Sequence, residues 1–337
     1  MARVLNVAME RSSRTGRLKL GPIAFQNLII LSVLILVSTG MAVTSNKFLS
    51  LSNFSNIIVQ ASLVIITGSA VTLIIISGNL DLSVGGIMAM GGVVYALLSQ
   101  AGVTTYPWAA LLAVIIAGSA MGIINGLLVT KMKIPSFIAT MSVMYITRGV
   151  AYIGAKGTTI VFGLPIDFSY LGNRMLGPIP LPIVYTIAIL SIFMFIQSKT
   201  KLGKETFAIG SNPKAATLSG IQTGRVIVTL YILAGTLAAF SGVIFTARVG
   251  VGDCTIGSGF EFDVFTAVVL GGTNITGGKG SVIGMVLGAL LLRVLTNGLN
   301  LVGIESYYQS IISGIVLVLA ILLNKFITSR SSKAIEE

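Results

Sequence analysis

Apolar residues along this chain come in long blocks separated by short polar intervals. This is neither the alternation of a half-buried strand nor the one-sided stripe of a soluble helix. A membrane-crossing helix needs about 20 apolar residues, and ten blocks qualify as candidates: Phe25–Val43, Ile57–Ser77, Val84–Leu98, Trp108–Val129, Ser136–Ile153, Leu181–Gln197, Val226–Ala247, Phe262–Thr273, Val282–Leu301 and Tyr307–Phe326. The eighth is too short for a full crossing unless it extends into its Gly-rich flank. Val84–Leu98 and Leu181–Gln197 are also short, so nine or eleven spans bracket the best count of ten. The pattern predicts an all-α integral membrane fold, with one membrane domain over 25–326, a basic segment 1–24 before it and a tail 327–337 after it.

Composition changes the picture only by excluding alternatives. Hydrophobic residues make up 54% of the chain and charged residues 9%, with a mean hydropathy of +0.97. A soluble globule of this size would lack the charge to cover its surface and would expose large apolar patches. Lipid accepts that surface directly. The 39 glycines suit a bundle whose helices approach closely. The single cysteine, Cys254, excludes an internal disulfide and a cysteine metal cluster, and the absence of histidine excludes His-ligated metal and His-based nucleophilic or proton-relay chemistry.

The net charge of +12 suits nucleic acid or a membrane surface, and its distribution favours the membrane. With the N-terminus inside and the spans alternating, 16 of the 22 Lys and Arg fall inside. They include Lys131, Lys133, Lys199, Lys201, Lys204, Lys214, Arg225 and Lys279. Only Lys47, Lys156, Arg174 and Arg248 fall outside, while Arg148 and Arg293 lie within spans. That asymmetry predicts both termini in the cytoplasm. A cleaved signal peptide is the competing reading of the N-terminus, but the first apolar block is long and no small-residue cleavage site follows it, so an uncleaved first span is expected.

Gly118, Gly122 and Gly126 share one helix face, as do Gly284 and Gly288, and both sets predict close helix–helix approach. Three polar segments carry candidate chemistry. Between the second and third spans, Asn79, Asp81 and Ser83 cap a helix starting at Val84, line a pathway, or form the structural joint of a broken helix. In the segment 198–224, Asn212-Pro-Lys-Ala-Ala-Thr-Leu-Ser-Gly220 reads as a short helix. Asn212 is its N-cap, Pro213 its first residue and Gly220 its stop. Ala215, Ala216 and Leu218 form a small apolar side, which fits either docking into a partner or an ordinary solvated loop. The third segment, Gly271 to Ser281, contains Gly-Gly-Lys but has Thr273 and Gly280 where a phosphate loop needs Gly and Ser or Thr, so a tight, Gly-permitted re-entry between two spans is expected instead, with Asn274, like Asn297 and Asn300, a candidate for the pathway or a structural joint. In the ninth span Arg293, Asn297 and Asn300 share a face and read as a polar stripe inside the bundle. Arg148, between Tyr145 and Tyr152, reads as an interfacial anchor.

Asn79-Leu-Asp-Leu-Ser-Val-Gly85 resembles the segment after the second span of the ribose, xylose, arabinose and galactose permease family of ABC importers, which also includes autoinducer-2 and some nucleoside permeases. Phe207 to Ile221 resembles that family's cytoplasmic coupling segment. Ala267-Val-Val-Leu-Gly-Gly-Thr273, Gly277-Gly-Lys-Gly-Ser281 and Asn297-Gly-Leu-Asn-Leu301 resemble its C-terminal half. The resemblance covers about residues 25–326. It implies a ten-span subunit of vitamin-B12-permease-like architecture in the bacterial inner (plasma) membrane, carrying a monosaccharide. It further implies a second permease copy or near relative, separate ABC ATPase subunits docking at Asn212, Pro213, Lys214, Ala215, Ala216, Leu218, Ser219 and Gly220, and an extracytoplasmic sugar-binding protein, with no cofactor and no nucleic acid. The competing class is a secondary transporter or channel acting without an ATPase. A membrane enzyme lacks a catalytic constellation in this sequence.

Overall fold

The computed structural model describes residues 22–101, 107–161, 164–305, 307–309 and 311–322. The basic N-terminal segment, the tail 327–337 and the end of the tenth expected span lie outside these residues. The helices, in chain order, are α1 (Pro22–Thr44), α2 (Leu51–Ile76), α3 (Val84–Gln100), α4 (Pro107–Thr130), α5 (Ser136–Gly154), α6 (Tyr170–Asn173), α7 (Leu181–Lys199), α8 (Lys201–Ser211), α9 (Pro213–Leu218), α10 (Thr223–Val249), α11 (Phe260–Leu270) and α12 (Val282–Leu301). An apolar helix, α13, runs from Tyr307 to Leu322. One two-stranded hairpin, Met175–Leu176 against Ile179–Pro180, interrupts the helices between α6 and α7.

Seven helices (α1, α2, α4, α5, α7, α10 and α12) are long and apolar enough to cross a membrane, and α3 and α13 are shorter apolar helices. The eighth expected span becomes α11, whose 11 residues reach about 16 Å, half of a hydrocarbon core of about 30 Å.

Two long helices form the centre. α2 and α10 run antiparallel, joined near their middles by the Thr67 and Ser241 hydroxyls at 2.9 Å. The glycine face of α4 lies against α10. A Cβ added at Gly118 would stand 2.5 Å from the Gly235 carbonyl oxygen, one at Gly122 2.3 Å from that of Tyr231, and one at Gly126 2.8 Å from the Val228 Cα. Gly284 and Gly288 bring α12 equally close to the backbone of Gly271 and Ala267. Both expected glycine faces therefore pack helix on helix.

One end of this bundle collects the charges of Lys131, Lys133, Lys199, Lys201, Lys204, Lys214 and Arg225, because the C-termini of α4 and α7 and the N-terminus of α10 meet there. We refer to it as the basic end. The segment 198–224, expected as a loop with one short helix, is mostly helical. Thr200 caps α8 by accepting from the Gly203 amide at 3.2 Å. Asn212 then caps α9 by accepting from the Ala215 amide at 3.0 Å, with Pro213 at its first position. The mixed polar and apolar composition of Lys201–Ser211 hid this helix from a search for long apolar blocks.

Candidate functional site

The two central helices repeat one pattern: a long helix, a break, and a short helix starting inside the bundle. After α2 the chain runs non-helically over 77–83 before α3. After α10 it runs over 250–259 before α11, with left-handed glycines at Gly250, Gly257 and Gly259. Non-helical backbone at membrane depth is tolerated only when its polar groups find partners inside the protein.

The first break meets that condition with side chains from three helices. The Leu80 amide donates to Ser136 Oγ and the Leu82 amide to Thr140 Oγ1, each at 3.1 Å. The Tyr231 hydroxyl donates to the Leu80 carbonyl at 2.8 Å. Asp81, 4% exposed, accepts from the Ser83 amide at 2.9 Å and the Ser83 hydroxyl at 2.6 Å, while Asn125 donates to Ser83 Oγ at 2.8 Å. The Asn79 amide turns back to Ser77 Oγ at 3.1 Å. Ser83 makes no side-chain bond into the first turn of α3, so Asp81 and Ser83 close the turn that precedes the helix and do not cap the helix itself.

The second break is held by Arg148, whose Nη2 donates to the Gly257 carbonyl at 3.0 Å. Arg148 is therefore a strut for this loop, not the interfacial anchor its flanking tyrosines suggested. Tyr145 and Tyr152, one turn to either side of Arg148 on α5, are exposed. The start of α11 then lies beside the start of α3: a Cβ at Gly85 would sit 2.0 Å from Glu261 Oε2, and one at Gly257 would sit 2.5 Å from the Gly85 carbonyl oxygen.

Above this crossing, on the side away from the basic end, a cleft of mixed polar and apolar lining lies between α2, α3, α10, α11, α12 and α13. It comprises two adjoining cavities of about 400 and 450 Å3 that share Gln60, Ser258, Asp263 and Arg293. Arg293 Nη2 donates to Asp263 Oδ2 at 2.6 Å. Eleven residues, about 16 Å, separate Arg293 from the start of α12, so the ion pair lies about half-way along that helix. Arg248 lines the second cavity and donates to Asn56 Oδ1 at 2.5 Å. Residues 81–92, from the joint into α3, are buried without interruption.

The expected site residues separate into groups. Asn300 lines the cleft and accepts from Gln309 at 2.7 Å. Asn297 exchanges amide hydrogen bonds with Asn53 at 3.0 and 2.9 Å and so clamps α12 to α2. Asn274 lies at the basic end, where its backbone and side chain close a turn with Lys279, Gly277 and Thr276; it is remote from the cleft. The sequence reading missed Asp263, Glu261 and Gln60. Two acids in one short apolar block of a chain with ten acids in all were the available signal.

At the basic end, α8 and α9 form a rigid projection. Gly210 of α8 is so close to the end of α2 that a Cβ there would stand 1.8 Å from the Ile76 carbonyl oxygen, and that same oxygen accepts from the Gly278 amide at 2.9 Å. The helix α8, the end of α2 and the turn 271–281 thus meet through bare backbone. On α9 the inward residue is Ala216, 4% exposed, and Leu218 points out at 90% exposed. The expected alanine face is therefore split. Ala216 is part of the packed interior, Ala215 and Lys214 are exposed, and Leu218 is the apolar group available to a partner.

A multi-helix membrane bundle with broken central helices, a cleft of mixed lining at half depth and a rigid helical projection at its basic end is the build of a transport permease. Residues 53–321 match the family described as the permease component of the branched-chain amino acid transport system, and the chain belongs to this family. It is 36% identical over 303 residues to the ribose import permease protein RbsC of Escherichia coli K12, covering 89% of this chain and 92% of that protein. It is 37% identical over 308 residues to the ribose import permease protein RbsC of Bacillus subtilis 168, covering 91% and 92%. It is 32% identical over 295 residues to the D-allose transport system permease protein AlsC of E. coli K12, covering 87% and 90%. No solved structure matches the chain.

Proposed function

We propose that this chain is the membrane-spanning permease of an ABC importer that moves a neutral monosaccharide inward across the bacterial inner membrane. The basic end faces the cytoplasm, and α8–α9 is the element gripped by separate ATPase subunits. A second permease copy or near relative completes the transmembrane unit, and an extracytoplasmic binding protein delivers the sugar. The observation that carries this reading is the capped, backbone-anchored projection α8–α9 with its exposed Leu218. A machine driven by closing soluble domains needs a stiff handle joined to its central helices, and this projection touches the end of α2 directly. Similarity to ribose and allose permeases supports the substrate class.

Leu218→Glu tests the grip. Leu218 has almost no contacts within the chain, so the variant is expected to reach the membrane at wild-type level with unchanged thermal stability. A charge placed in a partner's apolar socket costs several kcal/mol when unpaired, enough to remove the ATPase from the purified complex and to abolish ATP-dependent uptake. Wild-type uptake by this variant would leave the docking proposal without support. Uptake that persists after ATP depletion and collapses with the proton gradient would instead establish a secondary transporter.

Orientation is tested separately by single cysteines. Lys47→Cys, between α1 and α2, should react with a membrane-impermeant maleimide on intact cells, and Lys131→Cys, at the end of α4, only after permeabilisation. Both positions are exposed, and the native Cys254 is buried and stays silent. The opposite pattern would invert the topology.

A further inference from the structure

The mid-depth cleft has the chemistry of a sugar site. Its centre is the Asp263–Arg293 pair, with the Asp263 side chain 33% and the Arg293 side chain 18% exposed. One bond occupies Asp263 Oδ2. Asp263 Oδ1 and the Gln60 amide make no hydrogen bond to the protein among the described residues, and Arg293 Nε is buried without a partner. The valences open to a ligand are thus a carboxylate oxygen and a carboxamide that both donates and accepts. A carboxylate beside an amide suits hydroxyl groups, which donate to the first and exchange with the second. Phe262, half exposed at the cleft, offers an aromatic surface of the kind that covers the C–H face of a sugar ring. The pair neutralises itself, so a neutral polyol enters without stranding a charge. Each cavity falls within the range of about 300–1,000 Å3 typical of small-molecule sites.

The setting agrees with transit. Between the cleft and the basic end lie the buried start of α3 and the joint at Asp81. Its floor residues, Met88 and Gly257, belong to the two segments that cross there. A movement of either break would change the floor.

We infer that Asp263, Arg293 and Gln60 form a waystation that holds the sugar hydroxyls at half depth in the bundle, and that Gln60 contributes to choosing among sugars. This rests on the importer reading above, and the experiment separates the two. Cells expressing the permease with its ATPase and binding protein are first offered labelled ribose, allose and galactose. If no monosaccharide enters, the sugar reading fails whatever the cleft does. Given a transported sugar, Asp263→Asn and Arg293→Gln are expected to lower the maximal uptake rate about tenfold each, the effect of one charge-assisted hydrogen bond. ATPase co-purification should be unchanged in both.

Two further measurements exclude a purely structural pair. The charge-swapped double variant Asp263→Arg with Arg293→Asp is expected to restore thermal stability but not uptake, because the ion pair returns with its valences misplaced. Gln60→Leu should narrow the discrimination between the transported sugar and its singly deoxygenated analogues, an effect on selectivity that loss of packing does not produce. Recovery of wild-type uptake by the swap, or unchanged selectivity in Gln60→Leu, would overturn the waystation and leave Asp263–Arg293 as a helix clamp.

Discussion

Gly122→Leu is expected to abolish the folded protein. The helix α4 lies on α10 with backbone against backbone, and a Cβ at position 122 would stand 2.3 Å from the Tyr231 carbonyl oxygen and 2.7 Å from the Ile232 Cα. Those atoms belong to a helix backbone and cannot rotate aside, so even the first carbon of the new side chain drives the helices apart. Overpacking of a core costs about 1–3 kcal/mol when side chains can yield, and more when the backbone must move. The damage does not stop at the contact. Tyr231 donates to the Leu80 carbonyl, and Ser83 accepts from Asn125 on α4. Both bonds support the non-helical joint at 77–83, whose freed backbone groups would each cost several kcal/mol in an apolar surrounding. Detergent-solubilised variant should therefore run as aggregate in size-exclusion chromatography and show no cooperative melting. Gly149→Leu is the control, since nothing lies within 4 Å of a Cβ there and a normal elution profile is expected. A monodisperse Gly122→Leu would refute the close packing of α4 on α10.

Gly210→Ala, which adds a single methyl group, is expected to uncouple the machine while leaving most of the bundle intact. A Cβ at position 210 would stand 1.8 Å from the Ile76 carbonyl oxygen and 2.6 Å from the Gly278 amide nitrogen. Relief requires α8 to lift away from the end of α2 and from the turn 271–281. The hydrogen bond from Gly278 to Ile76 is the tie between those two elements, and it would lengthen or break. Since α8 carries α9, the docking handle would still be present but no longer seated on α2. Purified complexes should retain the ATPase and hydrolyse ATP, while uptake falls below detection. The contrast with Leu218→Glu is diagnostic: that variant loses ATPase and uptake together, and Gly210→Ala loses uptake alone. Normal uptake by Gly210→Ala would mean that force does not pass through this contact.

The legible parts of this protein are those encoded by neighbouring residues. Block length and hydropathy predicted six of the seven long helices to within three residues at each end, because a helix in lipid satisfies its own backbone and needs only enough apolar residues to span. They missed the largely polar first six residues of α2. Asn212 and Pro213 announced α9 because capping is a bond between residues three apart. The glycines at 118, 122 and 126 announced a packing face because helical periodicity alone places them together.

What only the tertiary structure decided is which apolar face meets protein and which meets lipid. The two environments are equally apolar, so hydropathy does not distinguish them. At the basic end, too, Ala216 and Leu218, equivalent as apolar residues in sequence, are buried and exposed respectively, because only the packing of α9 fixes which side faces the protein. The short apolar block around Phe262 became a half-length helix preceded by the non-helical loop 250–259, which Arg148 holds from a distant helix. The polar partnerships were equally invisible in one dimension. Asn297 meets Asn53 at a separation of 244 residues, Tyr231 meets Leu80 at 151, and Arg293 meets Asp263 at 30. An ionisable or amide group inside an apolar block tells the reader that it must be satisfied. Which partner satisfies it is fixed by helix packing, and that packing also turned scattered polar residues from α2, α11, α12 and α13 into one cleft.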